Sequence, residues 1–268
     1  MVHDLGDENR STRAIAAFQL SQEGHPSVAT VHALSRLLDE RNDEARGEAV
    51  AALISIGGRD SALGGAVVRS MTSILSATSQ PTIGRLEAIQ VLGQLGAVSR
   101  SAIQALALAL QSANDSLRSE AAAALGQIGI ADKSGLRAIR TALGDSVSDV
   151  RAAALESLAR LRPDDATGQI ASRLIVRDPS PLVRLTAVYA LMTAGRYDTR
   201  IASSLELALR DSAPDIRRAA VLALTQLGLH EQSTRIALRR AIGDSVAIVR
   251  QAVAQALLAT GDQRSKMN

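Results

Sequence analysis

Arginine returns along this chain at a fixed step: Arg85, Arg118, Arg151, Arg184, Arg217 and Arg250 stand 33 residues apart, and Arg13 and Arg46 keep the same step upstream. Seven residues after each of them comes a leucine (Leu20, Leu53, Leu92, Leu125, Leu158, Leu191, Leu224, Leu257). Eleven residues after comes a glycine (Gly24, Gly57, Gly96, Gly129, Gly195, Gly228, Gly261), with Arg162 the one exception. A period of this length marks an array of stacked supersecondary units whose core runs between neighbours. Counting domains from the 268-residue length therefore does not apply.

The unit from about residue 134 to 162 shows the design. Leu136, Ile139 and Leu143 recur at helical spacing and predict a first helix that stops at Gly144, a residue that readily takes the left-handed conformation. Asp145 and Ser146 open a tight turn, and Asp149 is placed to cap a second helix. Val150, Ala154, Leu155, Leu158 and Leu161 then share one face at the 3.6-residue period. Two antiparallel helices make each repeat.

The turn recurs as well. Asp145 to Arg151, Asp178 to Arg184, Asp211 to Arg217 and Asp244 to Arg250 each read Asp, turn residues, Val or Ile, then Arg, and Asp7 to Arg13 keeps the six-residue offset. This arrangement resembles HEAT repeats, in particular the short bacterial HEAT-like repeats of the phycobilin lyase type. The resemblance covers nearly the whole chain and implies an all-α fold. The architecture it implies is a right-handed α-solenoid of about seven stacked two-helix repeats after a leading half-repeat, spanning residues 1–261 with a polar tail at 262–268. Ankyrin repeats share the period, but their Thr-Pro-Leu-His signature is missing, as are the Trp and Tyr landmarks of tetratricopeptide repeats. The resemblance also implies a ladder between adjacent repeats made by Asp145, Arg151, Asp178, Arg184, Asp211, Arg217, Asp244 and Arg250. A guanidinium at the start of a helix has donors enough to span two successive acidic turns.

The register breaks near residues 57–84. Arg46 to Arg85 is 39 residues, the segment holds Gly57, Gly58, Gly64, Gly65 and Pro81, and Ser79 stands where the turn aspartate belongs. Either the first helix of this repeat is longer or the loop around residues 77–82 bulges. A tolerated insertion and a bend that shapes a partner site are both open readings. At the N-terminus the first helix of the first repeat is nearly missing, so a helix over residues 9–23 is expected to expose Ile15, Ala16 and Leu20. The C-terminus reads as finished, since Gln251, Gln255 and Thr260 are polar.

Aromatics make up only 1% of the chain, so Ala, Leu, Ile and Val must fill the core. No uninterrupted apolar run reaches the ~18 residues of a membrane span and no leader opens the chain, so a soluble, cytoplasmic protein is expected. The net charge of +3 divides unevenly: residues 1–134 carry 11 Lys and Arg against 14 Asp and Glu, and residues 135–268 carry 19 against 13. The arginines of the second half, Arg137, Arg140, Arg173, Arg177, Arg210, Arg235, Arg239 and Arg240, fall on first helices. Such a stripe could meet phosphates, although aromatic side chains for base stacking are nearly absent. Coding bias toward arginine is the plainer explanation of the composition.

Chemistry is thinly provided for. His3, His25, His32 and His230 form no pair at metal-ligand spacing on one helix. Only His230-Glu231 matches the repeated His-Glu pairs of deoxyhypusine hydroxylase, and one pair cannot make a dinuclear site. There is no cysteine, no Gly-x-Ser-x-Gly elbow and no phosphate loop; Gly57-Gly58 reads as a helix end. Neither catalytic residues nor a cofactor or metal site is expected.

Second helices line the concave face of HEAT solenoids, so their outward positions are where binding is expected. Counting from the recurring arginine, offsets 3, 4, 7 and 10 are apolar and point inward, and offsets 1, 2, 5 and 9 point out. Offset 2 supplies Glu48, Glu87 and Glu120, an acidic row with a spacing of roughly 10 Å. Offset 5 supplies Phe18, Gln90, Glu156, Tyr189, Leu222 and Gln255, and offset 9 supplies Gln94, Gln127, Arg160 and Gln226. The glutamates also suit the first turn of a helix and a solvated surface. The leading expectation is a non-catalytic scaffold that binds another protein, or an upstream domain of the same parent, through this surface. The alternatives are a phycobilin lyase subunit or chromophore-attachment chaperone and, ranked lower, a nucleic-acid-binding solenoid. The sequence leaves the oligomeric state open.

Overall fold

A computed structural model describes residues 3–6, 9–22, 26–39, 43–129, 131–194, 199–227 and 232–265. Asp7, Gly24, Gly195, Gly228 and the His230-Glu231 pair lie outside them. The chain is an all-α repeat solenoid, with no strand among the described residues. It forms two compact units, residues 1–145 and 146–268.

The first unit runs through a 3-10 turn His3–Gly6, α1 (Arg10–Gln22), α2 (Val28–Arg36), a 3-10 turn Leu37–Asp39, α3 (Asp43–Arg59), α4 (Ser61–Ser76), α5 (Thr82–Gln94), a 3-10 stretch Gly96–Ala102, α6 (Ile103–Ala109), α7 (Asp115–Ile128) and α8 (Lys133–Ala142). Helices α1, α3, α5 and α7 carry the periodic arginines and pack on one another in sequence, while α2, α4, α6 and α8 make the second row. The second unit repeats this with α9 (Ser148–Leu161), α11 (Pro181–Ala194), α13 (Pro214–Gln226) and α15 (Ala247–Ser265) in one row. Its other row is α10 (Asp165–Arg177), α12 (Thr199–Ala208) and α14 (Gln232–Ala241).

The periodic leucines explain the stacking. Leu20, Leu53, Leu92, Leu125, Leu158, Leu191 and Leu224 are all buried, each contributing roughly 2 kcal/mol by leaving water. Helix starts are set locally. Ser27 and Thr30 form a reciprocal capping box at α2. Asp60, Asn114, Asp132 and Asp164 accept backbone N–H groups at the starts of α4, α7, α8 and α10.

Of the two readings of the register break, the longer helix is the one realised: α4 has 16 residues, against 10 in α8, α12 and α14. Glycine permits the resulting close approach, since a Cβ on Gly64 would come within 2.7 Å of the Gly57 carbonyl oxygen. Gly57 and Gly58 lie in the last turn of α3, which ends at Arg59, in keeping with their reading as a helix end.

Three local expectations are corrected. Ala16 and Leu20 are buried, because the His3–Gly6 turn and α3 both pack on α1; Ile15 alone of that trio is exposed. Gly144 is not left-handed: among the described residues only Gly96 and Gly129 have positive φ, +56° and +73°. Asp149 does not cap α9, whose N-cap is Val147 without a side-chain hydrogen bond; two positions too far along, it lies in the first turn. The last helix continues to Ser265, into the segment read as a tail.

Candidate functional site

Each periodic arginine lies at the end of the first turn of a second helix, and Arg118, Arg151, Arg184 and Arg217 use the guanidinium in two directions. Arg217 Nη1 donates to the carbonyl oxygens of Asp211 and Ser212 in its own turn, at 2.8 and 3.2 Å. Its Nε and Nη2 grip both oxygens of Asp244, 27 residues on, at 2.6 and 2.8 Å. The bidentate fork recurs from Arg118 to Asp145, Arg151 to Asp178 and Arg184 to Asp211, with every distance between 2.7 and 2.9 Å. The aspartates Asp178, Asp211 and Asp244 also accept the backbone N–H two residues on, so each fixes its own turn while holding the preceding repeat. Geometry of this kind is charge-assisted and directionally specific.

The electrostatics follow. Arg217 holds the Asp244 carboxyl below the usual carboxylate range. At Asp178 and Asp211 burial pushes the other way, but the arginine forks and the turn N–H groups outweigh it and both are lowered. Arg250 keeps the same brace to the Asp244 and Ser245 carbonyls, at 2.7 and 3.0 Å.

At the register break the ladder changes partner. Ser79 cannot accept a fork, and Arg46 Nε instead donates to Glu87 Oε1 at 2.8 Å. Ser112 likewise stands where the aspartate for Arg85 would be, and Arg85 Nε donates to the Leu75 carbonyl oxygen at 3.1 Å. Nearby, Asp39 packs over Gly84 of α5 with its Oδ1 buried and without a hydrogen-bond partner among the described residues. Burial pushes this carboxyl up.

The expected binding residues divide between the two units. In the first, Gln90, Gln94, Glu120 and Gln127 are exposed, while Glu48 is half-buried. Glu87 is engaged by Arg46, so the offset-2 glutamates do not form a uniform free row. Offset 2 faces the preceding repeat, which is why an acid there can reach that repeat's arginine.

In the second unit the outward positions converge. A cleft of about 360 Å3 lies between α9 and α11, lined by Glu156, Ala159, Arg160, Thr186, Tyr189, Ala190 and Thr193. Tyr189 is 51% exposed, and the Glu156–Arg160 pair on its rim, 3.0 Å apart and more than half exposed, is an i,i+4 bridge worth only ~0.3–0.5 kcal/mol. A partner can open it at little cost. Leu222, 42% exposed, and the exposed Gln226 follow on α13. Thr186 and Thr193 were not among the expected residues, although they occupy offsets 2 and 9; following the period at every repeat would have found them. Among the described residues, no group of three His, Asp or Glu could hold a metal ion, and no helix is long and apolar enough to cross a membrane.

The family model for HEAT repeats matches residues 68–159, 103–192, 136–224 and 201–266. Among solved structures, YibA of Escherichia coli aligns with a TM-score of 0.59 at 18% identity, over 94% of this chain and 98% of its own. An engineered protein aligns with a TM-score of 0.50, also at 18% identity, over 97% of this chain and 77% of its own. At these identities the likeness concerns the fold alone. The complex of CpcE and CpcF of phycocyanin lyase from Nostoc sp. PCC7120 aligns at 21% identity over 58% of this chain and 98% of its own, with a TM-score of 0.47, too weak to bear on function. No curated protein matches the sequence. With matches to HEAT repeats running over residues 68–266, well beyond half its length, the chain belongs to the HEAT-repeat family.

Proposed function

We propose that this protein is a non-catalytic scaffold whose second-helix surface binds a segment of another protein. The observation that carries the reading is the cleft between α9 and α11, where an exposed aromatic ring and a loosely held ion pair flank an Ala159 and Ala190 floor. Tyrosine combines a large apolar body with a polar tip and is a frequent interface anchor. Leu222 extends the apolar strip onto the next second helix. Arg118, Arg151, Arg184 and Arg217 do not take part, because their donors are spent on their own turns and on the aspartate of the next repeat. In the first unit, Glu48, Gln90, Gln94, Glu120 and Gln127 occupy the corresponding second-helix positions and are polar.

The test is affinity capture from a nuclease-treated lysate of the source organism, comparing the natural chain with a Tyr189→Ala, Leu222→Ser variant. A stoichiometric protein held by the first and lost by the second supports the reading. Equal retention by both would remove these residues from the site. An absorbance scan of the eluate distinguishes the alternative, since a bound bilin would bring a visible band.

A further inference from the structure

Beyond that surface, the charge distribution of the second unit singles out its other row of helices. Residues 146–268 carry 17 Lys and Arg against 12 Asp and Glu. The ladder takes up Asp178, Asp211 and Asp244, and Asp164 and Glu156 pair with Arg162 and Arg160. What is left over is positive. Arg173 and Arg177 on α10, Arg210 just after α12, and Arg239 and Arg240 on α14 are all exposed and make no ion pair or side-chain hydrogen bond among the described residues. A solvated surface normally intersperses both signs.

These arginines are in register. Arg177 and Arg210 each stand seven residues before a ladder arginine, and Arg173 and Arg239 stand eleven before. Since α10 packs on α12 and α12 on α14, the Arg173–Arg239 register crosses three helices, roughly 20 Å at the usual ~10 Å spacing, while the Arg177–Arg210 register covers α10 and α12 and meets Gly243 at the α14 position. Glu206 interrupts the Arg173–Arg239 row and accepts a hydrogen bond from Thr234 Oγ1 at 2.9 Å. Aliphatic side chains lie among the charges: Val176, Leu207 and Ile242 are 53%, 54% and 50% exposed. Between α12 and α14 opens a cleft of about 220 Å3, lined by Leu209, Ala237 and Ala241, by Arg210 and Arg240, and by the carboxylates of Glu206 and of Asp244, the latter neutralised by Arg217.

We infer that α10, α12 and α14 form a second docking face, which takes an acidic amphipathic segment of a partner protein. Its carboxylates meet the free guanidiniums in the bidentate geometry that arginine favours, and an aliphatic side chain enters the α12–α14 cleft. A helix of about 13 residues spans the 20 Å row at 1.5 Å per residue. The aliphatics decide between a protein and a nucleic acid. A phosphate backbone gains nothing from Val176, Leu207 and Ile242, and among the described residues no aromatic ring stands with them for a base to stack on.

The test uses the full chain and fluorescence anisotropy in about 0.1 M NaCl. Its probes are a synthetic amphipathic helix of about 20 residues with Glu and Leu on one face, the same peptide with every Leu replaced by Ser, and a DNA duplex of similar length. The Glu-Leu peptide should bind at least about tenfold more tightly than either control. The triple variant Arg177→Glu, Arg210→Glu, Arg240→Glu should lose at least about tenfold, with an unchanged helical circular dichroism spectrum because these side chains are exposed and unpaired. Leu207→Ser should weaken binding and Glu206→Gln strengthen it by about two- to threefold, a gain that misfolding cannot mimic. Tighter binding of the duplex, equal binding of the Ser peptide, or indifference to the triple variant would each overturn the assignment.

Discussion

Arg46 gives its Nε to Glu87 Oε1 at 2.8 Å, with only 12% and 16% of the two side chains exposed, and so restores a rung that Ser79 cannot supply. The acceptor has moved from the turn to the second turn of the next second helix. Glu87→Gln should therefore lower stability by about 1–2 kcal/mol, between the values for exposed and buried pairs. Urea unfolding of Arg46→Met, Glu87→Gln and the double variant measures it, and additive losses would mean that the two side chains are not coupled.

A regular rung should cost more. Arg184 and Asp211 are held by two parallel bonds with 12% and 9% of the side chains exposed. Asp211→Asn keeps the shape and removes the charge, and is expected to cost about 2–4 kcal/mol because Arg184 stays partly buried without its anion. The exposed Arg162–Asp164 pair is the internal control, where Arg162→Met should cost under about 0.5 kcal/mol. Equal losses at the two places would deny the ladder its structural role.

Protonation should melt the ladder from the acid side. Asp178, Asp211 and Asp244 are all held below the ordinary carboxylate range in the folded chain. For a lowered folded pKa the stabilisation is complete above the unfolded value of about 3.9 and fades as pH falls below it. Asp39 has the opposite sign: burial raises its pKa, so its charged form destabilises the fold and that penalty is relieved on acidification. Thermal unfolding should be flat from about pH 5 to 7 and fall steeply below pH 4. Asp39→Asn should raise the midpoint at pH 7, and a drop there would mean that the carboxylate has a stabilising partner.

Neighbouring glycines should respond with opposite signs. A Cβ on Gly58 meets nothing within 4 Å, so Gly58→Ala should stabilise α3 by about 0.5–1 kcal/mol. Gly64→Ala would press on the Gly57 carbonyl, which backbone cannot easily yield, and should cost about 1–3 kcal/mol. Gly129→Ala should cost about 1–2 kcal/mol for a different reason, its φ of +73°. Denaturant midpoints of the three variants decide the matter; a destabilised Gly58→Ala would show that helix propensity is not what governs that site.

The repeat and its two helices were legible in the sequence because periodicity is a property of the chain itself. Leu158 and its equivalents announce a buried face wherever they occur. The cleft at Glu156, Arg160 and Tyr189 was half legible, since a 3.6-residue period leaves offsets 5 and 9 outward, whereas its floor of Ala159 and Ala190 looks like any other alanine pair. What could not be read were relations between repeats. The step from Arg118 to Asp145 is a packing distance, and the exchange of Ser79 for Glu87 needs α3 and α5 side by side before it makes sense. Gly144 and Asp149 misled for a smaller reason: both are good terminators or caps in isolation, but the tight turn here is fixed by the ladder aspartates.

The 27-residue reach of every fork makes array length a quantity that can change by whole units. Excision of residues 179–211 would remove Arg184 and Asp211 together, while Arg151 with Asp178 and Arg217 with Asp244 keep both members and their spacing. A cut that falls within a fork and is not a whole number of periods would alter the spacing between an arginine and its acid. Duplication and loss in steps of one period are thus the edits that such a gene can undergo without relearning how to fold.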